Sequence, residues 1–160
     1  MPICQKYKIA QHEKIANYLL VLPLLYLTSC ASTKSTTVSQ GMDVRSYQYV
    51  VYGKDDSDGD AELSDIILLV QNEISSKLTV LSSTEAIDFI EKGVKVISPR
   101  INVKTEKWDG GHTYITISFY DFNTNQLVAV VKSSGIGLSI AQDQKKALSA
   151  IKKELNNVFR

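Results

Sequence analysis

His112 is the imidazole best placed to act as a base. Asp109 stands three residues before it in Trp108-Asp109-Gly110-Gly111-His112, near enough in sequence for a carboxylate to orient the ring. Nucleophilic hydrolysis also needs a serine or cysteine within reach of that ring. No Gly-x-Ser-x-Gly elbow occurs, and a histidine at a hairpin end is more simply read as packing beside Trp108. The acidic run Asp55-Asp56-Ser57-Asp58-Gly59-Asp60 has the composition of a calcium loop, but Lys54 occupies the first ligand position. The simpler role of that run is an acidic helix start capped by Asp60. Gly135-Ile136-Gly137 before a helix has the form of an anion-binding turn. It lacks the third glycine and the leading βαβ unit of a nucleotide fingerprint. Beyond residue 30 the chain has no cysteine and one histidine, His112, too few ligands for a zinc set. The expectation is a protein with no metal, no cofactor and no enzymatic activity, a membrane-tethered hydrolase being the lowest-ranked alternative.

Cys30 is the residue whose surroundings are most specific. Lys6, Lys8 and Lys14 precede an apolar run, Ile15 to Leu27, that ends in Leu27-Thr28-Ser29-Cys30. The run is 13 residues, short of the roughly 20 that a helix needs to cross the hydrocarbon core. Basic residues, an apolar stretch and then small residues make a secretory signal. The segment closely resembles bacterial lipoprotein precursors, with Leu27 three residues before the cysteine and small Thr28 and Ser29 between. That resemblance implies cleavage before Cys30, a diacylglycerol thioether on its sulfur and usually a third, amide-linked chain. Two acyl chains suffice for stable anchoring. Ala31 and Ser32 follow, without the Asp that many Gram-negative families use for inner-membrane retention, so the implied address is the periplasmic face of the outer membrane. The polar lead Met1 to Glu13 is longer than such signals carry, which implies a true start downstream of Met1, at another codon. No second Met precedes Met42.

Removal of residues 1–29 leaves 15 basic and 16 acidic side chains and a single histidine. A near-neutral chain has no electrostatic footprint for nucleic acid. With Cys4 lost and Cys30 acylated, neither a disulfide nor a free thiol remains. Residues 30–46 read as the lipidated cysteine followed by a small, polar, flexible tether. Residues 47–160 have the length of one domain with one core.

Several elements must position any site in that domain. Tyr47 to Tyr52 reads as a strand ending at Gly53. Leu63, Ile66, Ile67, Val70, Ile74 and Leu78 form one helical stripe. Leu78 to Leu81 reads as a short strand, and Ser82 with Glu85 as a capping box opening a short helix to Glu91, closed by Gly93. From Val94 the period becomes two through three strands, with Pro99 marking an edge or bulge. A three-residue loop at Asp109-Gly110-Gly111 would pair Trp108 with His112 and set Ile101, Val103 and Thr105 opposite Phe119, Ile117 and Ile115. The same parity places Leu127, Ala129 and Val131 on the apolar side and Val128, Val130 and Lys132 on the other. Ser139 and Gln142 open a final helix whose stripe runs Ile140, Gln144, Ala147, Leu148, Ile151, Leu155, Val158. The predicted fold is an α+β two-layer sandwich in β-α-β-β-β-α order, with two amphipathic helices on one face of a mainly antiparallel sheet.

The other sheet face collects Lys104, Trp108, Tyr114, Thr116 and Tyr120 among Asn102, Ser118 and Lys132. Aromatic and polar residues mixed in this way suit a partner surface, although they are also simply good strand formers. The run from Tyr114 to Ser134, followed by a Gly-rich loop and a last helix, resembles small envelope lipoproteins of unassigned function. In outline it is also similar to activator-type lipoproteins that dock onto cell-wall synthases. The expected role is an anchored, non-catalytic module that binds an envelope protein or glycan through this face. A carrier holding a lipid or small molecule between helices and sheet is the rival.

Overall fold

The computed structural model describes residues 32–53, 61–106 and 111–160. Within them the period-two segments are strands and the three- and four-residue stripes are helices, since each pattern buries its apolar set only in that geometry. The order is β1 (Ser32–Val38), a 3-10 turn (Val44–Ser46), β2 (Tyr49–Val50), α1 (Ala61–Ser75), β3 (Thr79–Val80), α2 (Ser83–Glu91), β4 (Val96–Glu106), β5 (His112–Asp121), β6 (Leu127–Ile136) and α3 (Ile140–Val158). The strands form one open sheet in the order β1-β6-β5-β4-β2-β3. The four strands from β1 to β4 along that order are antiparallel, whereas β2 is parallel to both β3 and β4. This is the expected α+β class, with more strands and one more helix than the simple order anticipates.

One face of the sheet carries the main core. Ile97, Ile115, Ile117, Phe119 and Val131 are fully buried against Val70 and Ile74 of α1 and Ile151 and Leu155 of α3. Each such side chain contributes about 1.5 to 3 kcal/mol through burial. The two helices are tied together by Glu73, which pairs with Lys77 at 3.0 Å and with Lys152 at 3.4 Å. Lys77 also donates to Asn156 Oδ1 at 2.6 Å. α3 lies very close to β6: a Cβ on Gly135 would fall 2.1 Å from the Asp143 carbonyl oxygen and 2.6 Å from the Ala147 nitrogen. Beside it, the buried Ser133 hydroxyl donates to the Ala147 carbonyl at 2.9 Å. Small residues at the end of β6 are therefore what lets the helix seat.

α2 sits on the opposite face, at one corner. Tyr49, Val51 and Val96 alternate with the main-core residues Val50 and Ile97, and they pack instead against Ala86, Phe89 and Ile90 of α2. Tyr49 and Phe89 meet edge to face at 4.8 Å. The expected capping box is present, with Ser82 accepting from the Glu85 amide and Glu85 accepting from the Ser82 amide. Beyond Ile97, β4 has no neighbour on its β2 side among the described residues, so Pro99, which has no N–H to donate, occupies an edge position as expected.

Three sequence expectations are corrected. The segment read as a tether contains β1, whose Ser32 to Val38 pair with Gly135 to Ala129, so the folded unit starts at Ser32 rather than Tyr47. β1 was hidden because its helix-facing side is held by polar contacts: Lys34 Nζ lies 2.9 Å from Glu154 Oε1, and Thr36 donates to Glu154 Oε2 at 2.7 Å. The β4–β5 ladder ends at Glu106↔His112 and pairs Ile101 with Ile117 and Val103 with Ile115. That is two residues away from the pairing a three-residue loop dictates; the shift is even, so every side chain keeps its face. Finally, a bulge between Phe119 and Tyr120 pairs Tyr120 with Leu127 and turns Val128 into the core, leaving Leu127 39% exposed. Leu127 and Val128 thus exchange the sides assigned to them. Cys30, the acidic run with Asp60, and Trp108 and Asp109 lie outside the described residues.

Candidate functional site

Among the described residues α2 covers only its own corner, so the rest of that sheet face is open, and alternation dictates what it shows. Reading across β4, β5, β6 and β1, three rows present Lys104, Tyr114, Ser134, Thr33, then Asn102, Thr116, Lys132, Ser35, then Arg100, Ser118, Val130, Thr37. The sequence-predicted residues Lys104, Tyr114, Thr116 and Tyr120 are all brought to this face. Lys104 and Tyr114 are direct cross-strand partners, and Thr116 stands beside Lys132. Tyr120 is set apart at the far end, under the Arg100 guanidinium at 4.6 Å from its ring.

The charged groups here are mostly occupied. Lys104 pairs with Glu106 at 3.1 Å, and Arg100 stacks on Tyr120. His112 Nδ1 lies 3.0 Å from the Tyr114 hydroxyl, with the rings edge to face at 6.0 Å. That contact places the imidazole against a phenol; among the described residues His112 has no serine or carboxylate partner. Lys132 is exposed and has no hydrogen bond or ion pair among the described residues. It rises from a shallow groove of about 260 Å³ walled by Thr33, Ser35, Tyr114, Thr116 and Ser134. Thr33 and Ser134 hydroxyls bond each other at 2.6 Å across β1 and β6. The β1 hydroxyls Thr33, Ser35 and Thr37 are the part of this face that sequence reasoning missed. The signal was there, in a Ser and two Thr spaced two apart, but a strand polar on both sides lacks the apolar alternation that marks a register.

A second concavity, of about 390 Å³, lies between the end of β1, the 3-10 turn and α3. It is lined by Val38, Met42, Val44 and Val158 with Arg45 and Glu154 at its polar margin. Glu154 is held below the usual carboxylate range by the Lys34 and Thr36 bonds, against a smaller upward push from burial. At the far end of β5, burial raises the Asp121 carboxyl, but donors from Thr124, Tyr47 and Asn123 outweigh it and keep it low. The Tyr47 phenol, buried and donating to Asp121 at 2.9 Å, is raised well above its ordinary value. Tyr47 and Asp121 form a structural pair that fastens the 3-10 turn to the β5–β6 turn.

Gly135-Ile136-Gly137 is not arranged as an anion cradle. A Cβ on Gly137 would meet Asp143 Oδ1 and Gln142 Cβ, each at 2.8 Å, so these glycines admit the first turn of α3. That turn already carries the Asp143 carboxylate, fully buried and without a hydrogen-bond partner among the described residues. Among the described residues no group of three or more His, Cys, Asp or Glu is arranged to hold a metal. No helix among them is long and apolar enough to cross a membrane.

No family model matches the chain, and no curated protein matches it. Among solved structures, the chain is similar to a PelC dodecamer from Paraburkholderia phytofirmans at TM-score 0.48 and 15% identity, covering 80% of this chain and 98% of that one. It is also similar to a dodecamer of a single-residue variant of that protein at TM-score 0.45 and 16% identity, covering 79% and 97%.

Proposed function

We propose that this chain is a lipoprotein of the outer membrane, acylated on Cys30, that acts without catalysis by presenting the open face of β4, β5, β6 and β1 to an envelope partner. The observation that carries the reading is the uncovered polar face itself. Both long helices, α1 and α3, lie on the other side of the sheet, and the aromatic and basic groups Tyr114, Tyr120, Lys104 and Lys132 are left toward solvent. The Leu27-Thr28-Ser29-Cys30 sequence supports the anchor.

Because β1 opens at Ser32, only Ala31 separates it from the acylated cysteine. A module attached by so short a stretch of sequence selects partners at the membrane surface. A photocrosslinking side chain at position 114 or 120 tests the reading in cells. A discrete adduct from either position is expected; wild-type expression with no adduct from both would overturn it.

A further inference from the structure

We propose that the groove around Lys132 is a binding site for an anionic saccharide, of the uronic acid or similarly acidic kind. This rests on the open sheet face being the working surface and names what it takes. The middle row places Thr116 on β5 and Ser35 on β1 as the direct neighbours of Lys132 on β6. An ammonium with no partner among the described residues, flanked on both sides by hydroxyls, offers a carboxylate one charge-assisted bond and two neutral ones. Rows two residues apart lie about 7 Å along the strands, so a carboxylate on Lys132 puts its attached ring beside Tyr114. The phenol ring, 38% exposed, offers an apolar surface for the C–H face of a sugar, and its hydroxyl is steadied by His112.

Charge favours the same ligand. Among the described residues of β4, β5, β6 and β1, Arg100, Lys104 and Lys132 share this face with one acid, Glu106, which is already paired with Lys104. A neutral glycan would gain nothing from that excess. An acidic protein segment would find few apolar anchors here, since the groove wall is mainly threonine and serine hydroxyls. Of the large exposed apolar side chains, Leu127 stands at the far, Tyr120 end of this face, and Leu68, Leu69, Val80 and Ile87 belong to α1, β3 and α2.

The test uses the lipidated protein in detergent micelles, titrated calorimetrically with trigalacturonate, maltotriose and triglutamate. Trigalacturonate should bind, more weakly as salt rises, and Lys132→Gln should weaken it at least about tenfold, the loss of one charge-assisted bond. Thr116→Val should weaken it less, and Lys153→Gln on α3 should leave it unchanged. Equal binding of maltotriose would overturn the charge requirement, and equal or tighter binding of triglutamate would make this a peptide site. Binding unaltered by Lys132→Gln would overturn the placement. Absence of binding to any of the three, with an adduct still formed from position 114, would sink the saccharide proposal and leave the open-face reading standing.

Discussion

Replacing Glu154 by Gln should loosen β1 from the domain. The carboxylate is 11% exposed and receives Lys34 Nζ at 2.9 Å, Thr36 Oγ1 at 2.7 Å and Asn157 Nδ2 at 3.4 Å. Lys34 is 44% exposed, so solvent screening holds the ion pair to about 0.2 to 1 kcal/mol. Neutralising the acceptor of the partly buried Thr36 bond removes roughly another 0.5 to 1 kcal/mol. The expected loss is therefore about 0.7 to 2 kcal/mol at pH 7, or a urea midpoint lower by roughly 0.4 to 1.3 M at a slope of about 1.5 to 2 kcal/mol per M. Its pH dependence has a definite sign. The folded carboxyl is held below its usual value, so this stability is fully present above the unfolded carboxyl range and is lost as pH falls through the folded pKa. The gap between wild type and variant should narrow as pH falls below the unfolded carboxyl value of about 4.3. Urea titration of residues 31–160 at pH 7 and pH 3.5 measures the gap, and hydrogen exchange localises it to the β1 amides. Unchanged midpoints at pH 7, an equal gap at pH 3.5, or faster exchange everywhere except β1 would refute the reasoning.

Three further perturbations probe other joints. Gly135→Ala places a methyl 2.1 Å from the Asp143 carbonyl oxygen, which should cost several kcal/mol or prevent α3 from seating, read as lost near-UV circular dichroism. Ser82→Ala removes the cap of α2 and should cost about 1 kcal/mol while leaving α3 exchange protection intact. Asp143→Asn changes a buried side chain whose oxygens have no partner among the described residues, so stability should hold; a drop of more than about 1 kcal/mol would show that the carboxyl is paired.

Side-chain parity was legible in the sequence because alternation is a property of each strand alone. Ile115, Ile117 and Phe119 had to share a side, and Tyr114, Thr116 and Ser118 the other, whatever the loop before them did. What parity cannot give is the loop length, and the actual register differs from the expected one by two. The bulge at Phe119/Tyr120 is a local exception of the same kind: Leu127 and Val128 are both apolar, so composition does not say which one turns inward. β1 was hidden for a different reason. Its inward side chains, Lys34 and Thr36, are satisfied by one carboxylate 118 to 120 residues later in the chain, and no local pattern announces such a partner. The site followed the same division, with Tyr114, Thr116 and Lys104 found from the strands and the hydroxyls of β1 visible only once that strand was placed.

The membrane address proposed for the open face depends on the anchor at Cys30, and the direct test is Cys30→Ser with labelled palmitate and membrane fractionation. Wild type should take up label and sediment with the outer membrane, whereas the variant should take up none and leave that fraction. A variant that is still labelled, or a wild-type protein that is never labelled, would contradict the account.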